Sequence, residues 1–173
     1  MTARFRLAVL ALAALLVLPG VSRATDAPQN DLSKQKQTIS DIRNVGTAMW
    51  VWYKEQVAPR RSEDAQKKAD AMAKEPSIAI SAVPVISREE LTKILVPKYI
   101  ASIPEKDGWG NSYEFHLNTT DPNAVQVMGL RSPGMDGSFS GDNYVIGPFA
   151  PEDQKQDIAW MDGYFIRWPQ RVQ

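Results

Sequence analysis

The sequence predicts an α+β fold: a long N-terminal helix packed on a small antiparallel sheet. Three observations predict it. Ile39, Ile42, Val45, Met49, Trp52 and Tyr53 recur at helical spacing in TISDIRNVGTAMWVWYKEQVA. Farther on, NSYEFHL, AVQVMGL and IAWMDGYFIRW are rich in β-branched and aromatic residues with partial alternation. Asp162-Gly163 stands between two apolar runs, a hairpin signal. A chain of 173 residues suits one such domain with its own core.

The N-terminus comes first. Arg4 and Arg6 precede the apolar run LAVLALAALLVLPG, and Ser22 to Ala24 offer small residues at a cleavage site. That is the anatomy of a signal peptide over residues 1–24, so the protein is expected to be periplasmic or otherwise exported. The run is shorter than the roughly 20 residues that span a bilayer, which limits membrane contact to the signal segment before cleavage. Residues 25–37 read as a polar N-terminal segment, and the domain proper as 38–173.

Thr38 or Asp31 is the expected cap of the long helix, with Pro59 closing it. Gly46 in its middle suggests close approach of another backbone. A charged insertion occupies 59–86: its first part reads as an exposed, solvated segment, and PSIAISAVPVI as extended coil or an edge strand. Ser87 with Glu90 forms a capping-box pattern for a second helix, which Pro97 ends. The strands that follow predict a three- or four-stranded antiparallel sheet.

Composition excludes several functions. Lys+Arg and Asp+Glu number 20 each, so no basic field marks a nucleic-acid partner. Without cysteine there is neither a disulfide nor a thiolate metal site. His116 is the single histidine and reads as a surface or edge residue. Ser132 and Ser138 have no base partner of the triad type, and the expectation is that the protein is not an enzyme. The five tryptophans read mostly as core.

Residues 132–143, SPGMDGSFSGDN, concentrate the turn formers. Gly134, Gly137 and Gly141 alternate with Asp136, Asp142 and Asn143. Two readings fit. Asp-Gly and Gly-Asp pairs are what surface turns are made of. Glycines also let a chain curl until several carbonyls face one point. Asp136 and Asp142 would bracket that curl with carboxylates, the donor mix that calcium takes. The spacing is not that of an EF-hand.

VGTAMWVWYK (Val45 to Lys54), LVPKYIASIPEKDGWGNSY (Leu95 to Tyr113), the glycine-aspartate loop and Asp157-Ile158 occur in an order that resembles the soluble domain of the major pseudopilin of bacterial type II secretion systems. The likeness covers roughly residues 38 to 168. It implies a pilin-like fold and a structural or interaction role beside the protein components of a secretion or pilus-like machine. It also implies a structural Ca2+ ion. Asp136 and Asp157 carry over as ligands, Asp142 and Asn143 sit at the family's second acidic cluster, and backbone oxygens near Leu130, Arg131 and Ser138 complete the shell.

Two features depart from that family. Its members begin with a prepilin leader and a long hydrophobic filament-forming helix, whereas here the apolar run precedes Gly20 and a polar stretch follows. The 59–86 insertion also stands where the family has a short loop. The expectation is therefore a stemless pseudopilin-like module. The alternative is a free-standing exported calcium-binding module unconnected to secretion.

Overall fold

The computed structural model describes residues 26–170, with side chains from residue 32 onward. The expected signal peptide over 1–24 lies outside the described residues. Among these residues no helix is long and apolar enough to cross a membrane.

Helix α1 spans Asp26–Gln56. Gln35, Thr38, Ile42, Val45, Met49 and Tyr53 are buried along it at intervals of three and four, forming one stripe against the sheet. The segment 25–37 is thus helical from Asp26, and Thr38 and Asp31 are interior positions rather than caps. Polar residues such as Gln and Lys are adequate helix formers, and extending an existing helix avoids the cost of nucleation. Thr38 has another use: its hydroxyl donates to the Lys34 carbonyl at 3.0 Å and accepts from Gly108 N at 2.9 Å. A 3-10 turn, Ala58–Arg60, carries Pro59 and ends the run.

Helix α2, Glu63–Met72, is capped by Ser62, which accepts from Ala65 N at 3.2 Å. Helix α3, Arg88–Leu95, has the expected capping box between Ser87 and Glu90.

The strands are β1 Ser77–Ala79, β2 Val85–Ile86, β3 Glu114–Leu117, β4 Met128–Ser132, β5 Asn143–Val145, β6 Gly147–Phe149, β7 Ile158–Met161 and β8 Tyr164–Pro169. Six form one sheet in the order β2-β3-β4-β7-β8-β6, and β1 pairs with β5 as a separate ribbon. Strand β6 runs parallel to β8, so the sheet is mixed and larger than the three or four antiparallel strands expected. The extra edge strands have two or three residues, and β6 contains Pro148; neither is long enough to show alternation.

Strands β4 and β7 are buried at every position because both faces of the sheet are covered. On one face Ile42, Val45 and Met49 of α1, with Leu91 and Leu95 of α3, meet Leu130, Ile158 and Trp160. On the other, Ile78, Ile80 and Val83 from the 59–86 insertion meet Ala159, Met161 and Ile166. The insertion is thus solvated in its first part and holds an edge strand in its second, as expected, and it also lays down a second core layer.

Two further expectations change. A Cβ at Gly46 would lie 2.7 Å from the Trp160 ring, so this glycine admits an indole, not a backbone. His116 is 2% exposed, with Nδ1 at 2.8 Å from the Val83 carbonyl and Nε2 at 2.8 Å from Glu114 Oε1. The tryptophans are mostly core as expected, with Trp160 in it and Trp52 and Trp109 packed against it, while Trp50 is 37% exposed and Trp168 half-buried.

The hairpin at Asp162-Gly163 forms as expected, with φ of 44° and 110°. Asp162 Oδ1 also accepts from Val127 N and Met128 N, each at 3.0 Å. Burial pushes this carboxyl up to about 6, against the pull of those two amides and Arg61. A raised carboxyl binds its proton more tightly folded than unfolded, so stability falls as pH climbs from the unfolded value of about 3.9 through about 6. Asp162→Asn keeps the acceptor and removes the titration. It is expected to gain about 1–2 kcal/mol at neutral pH and to flatten the pH profile in urea unfolding. An unchanged profile would mean that the carboxylate does not titrate in this window.

Candidate structural cation site

The loop between β4 and β5 holds the three glycines in left-handed conformations, Gly134 at φ 70°, Gly137 at 72° and Gly141 at 140°. What it wraps is the guanidinium of Arg131, which projects from β4 and is 5% exposed. Nε donates to Glu114 Oε1 at 2.8 Å, Nη2 to Asp142 Oδ1 at 3.0 Å, and Nη1 to the Gly141 carbonyl at 2.7 Å and the Tyr144 hydroxyl at 3.1 Å. The ring of Phe139 lies 4.0 Å from its central carbon. Strand pairing sets this up, because Glu114 on β3 stands directly across from Arg131 on β4.

Asp157 is completely buried just before β7. Its Oδ2 accepts from the Tyr144 hydroxyl at 2.6 Å and from Ser140 N at 3.0 Å. Its Oδ1 is buried with no hydrogen-bond partner among the described residues. Burial raises the pKa of this carboxyl, opposed by the Tyr144 and Ser140 hydrogen bonds and by Arg131. Tyr144 therefore relays between the two charges, accepting from the arginine and donating to the aspartate.

The four expected ligands are placed differently from one another. Asp157 and Asn143 line one cavity of about 220 Å³ together with Ser140, Tyr144, Gln156 and Arg167. Asp142 does not line it and is paired with Arg131. Asp136 is exposed, its Oδ1 accepting from Ser138 N at 3.1 Å. Among the described residues no group of three or more His, Asp or Glu is gathered to hold a metal. The cavity offers one anionic oxygen of the kind a hard cation takes, with neutral oxygens and the Arg167 guanidinium around it, so Asp157 and Asn143 are the part of the expected set that comes together.

Two supporting side chains were not foreseen from the sequence. Arg131 is one: it was named only for its backbone oxygen, and an arginine inside an apolar strand was the side chain's only local signal. Asp107 is the other, 4% exposed, in DGWGN. Its Oδ1 accepts from Trp109 N at 2.9 Å and Asn111 N at 2.8 Å, and its Oδ2 from the Ser132 hydroxyl at 2.6 Å. Asn111 Nδ2 donates to the Gly134 carbonyl at 2.7 Å. The DGWGN turn and the glycine-aspartate loop thus clasp each other, and Gly108 N fastens the pair to Thr38 of α1.

No protein-family model, no curated protein and no solved structure matches the chain.

Proposed function

We propose that this chain is a non-enzymatic, pilin-like structural and interaction module, exported and working beside the protein components of a type II secretion or pilus-like machine. The observation that carries this reading is the clasp. The two motifs that resemble the major pseudopilin, DGWGN and SPGMDG, are tied through Asp107, Ser132, Asn111 and Gly134 into one unit on α1. Their polar groups serve the fold internally, which is the work of a scaffold. The opposite stripe of α1, with Asn44, Thr47 and Val51, stays exposed as a contact face. Calcium belongs to the proposal as a structural ligand of Asp157 and Asn143, neutralising a buried carboxylate. Asp136 and Asp142 would join it only by leaving Ser138 and Arg131.

The test is in the cell. A photo-cross-linking residue in place of Thr47 is expected to form an adduct with a pilin-like secretion component, identified by mass spectrometry, and deletion of the gene is expected to reduce type II secretion. Normal secretion with no such adduct overturns this reading in favour of a free-standing exported module.

A further inference from the structure

We propose that the groove between the N-terminal half of α1 and the β8–β6 end of the sheet docks an extended acidic peptide of a partner protein, with two carboxylates three residues apart. The groove has a volume of about 1060 Å³. Its apolar lining combines Leu32, Ile39, Phe165 and Trp168 with Pro148 and Pro151. Leu32 is 39% exposed, and Phe165 and Trp168 are only half-buried. At the floor, Gln35 Nε2 donates to the Pro151 carbonyl at 3.3 Å, which fixes the helix against the loop after β6.

Charge selects the occupant. Lys36 and Arg43 line the groove, and none of its lining residues is acidic. Among the described residues neither cation is paired with a carboxylate; Arg43 lies 5.8 Å from the centroid of the Phe165 ring. The two cations are two helical turns apart on one face of α1, a rise of about 10 Å. A polyproline II peptide advances about 9 Å in three residues and returns each third side chain to the same side. Carboxylates at i and i+3 therefore reach both cations, while the residues between them face the aromatic and proline floor, the surface such peptides dock on. Pro148 on edge strand β6 lacks an N–H, which disfavours strand addition there. The chain's own residues 1–24 are a poor occupant, since they carry Arg4, Arg6 and Arg23 and no acid. This inference is independent of the secretion reading, because it rests on the groove alone.

The experiment titrates the full chain into a fluorescently labelled synthetic peptide of three Glu-Pro-Leu repeats and reads anisotropy, with a Lys-Pro-Leu peptide as the counterpart. The Glu peptide is expected to bind and the Lys peptide not to. Lys36→Glu or Arg43→Glu, both exposed, should weaken binding at least tenfold, and the double variant should bind the Lys peptide instead. Trp168→Ala should abolish binding; if that variant fails to fold, the two charge variants decide. Absence of Glu-peptide binding, or binding indifferent to both charge reversals, overturns the proposal. So does concentration-dependent dimerisation lost in Arg43→Glu with no peptide bound, since the groove would then belong to a second copy.

Discussion

Arg131→Met is expected to destabilise the protein by about 3 kcal/mol, among the largest effects of any single substitution outside the apolar core. The loss comes from the groups left behind. Glu114 would keep His116 as a partner but lose its guanidinium, and the Gly141 carbonyl would lose a donor at 2.7 Å. Tyr144 would still donate to Asp157 but would accept nothing from the arginine. Glu114 is 28% exposed and relaxes partly into water, which holds the figure toward the lower end for a broken buried pair. Arg131→Lys should recover less than half of the loss, because one ammonium cannot serve four acceptors on different sides of a planar fork. Asp142→Asn is the control: its side chain is 55% exposed, so its pair with Arg131 is worth less than about 1 kcal/mol. Urea unfolding with a common m-value checks the series. An Arg131→Met variant within about 0.5 kcal/mol of the parent, the scatter of ordinary surface substitutions, would show that the loop is held by something else.

How much of this could be read beforehand depended on whether the cause was local. The α1 stripe from Ile42 to Tyr53, the Ser87 capping box and the Asp162-Gly163 hairpin are all specified within a few residues, and all three formed as expected. The curl of the glycine-aspartate loop was legible for the same reason. Its occupant was not, because the guanidinium reaches Glu114 only once β3 and β4 pair in one particular register. A one-residue slip would turn Arg131 to the other face. The burial of His116 and the fit of Trp160 against Gly46 are likewise products of distant packing. The 59–86 insertion was legible in its local form, a solvated helix and then short strands with one at the sheet's edge, but not in its packing. Its charged α2 is solvated, but Ile78, Ile80 and Val83, lying among prolines and small residues, cover a sheet face that the sequence left bare.

Calcium is expected to raise Tm by about 5–10 °C at a hundredfold excess over its Kd. Binding to the folded state alone is worth about 2.7 kcal/mol there, and a chain of this size shifts by about 2–4 °C per kcal/mol. The energetic opening is Asp157 Oδ1, a buried oxygen without a hydrogen-bond partner among the described residues, whose ionisation burial already disfavours. A divalent ion would supply the missing counter-charge, and Asn143 a neutral oxygen beside it. Arg131 and Arg167 oppose any cation placed near them, so the affinity should sit in the weak range of extracellular sites. Proton and ion compete for the same carboxylate; as pH falls through the raised pKa of Asp157, the calcium response should fade. Asp157→Asn should abolish it at every pH. If Asp136→Ala and Asp142→Asn also reduce it, the loop closes further on the ion and Asp142 gives up Arg131. A parent protein whose Tm is the same in calcium and in chelator removes the metal, and leaves the guanidinium as the cation around which this loop is folded.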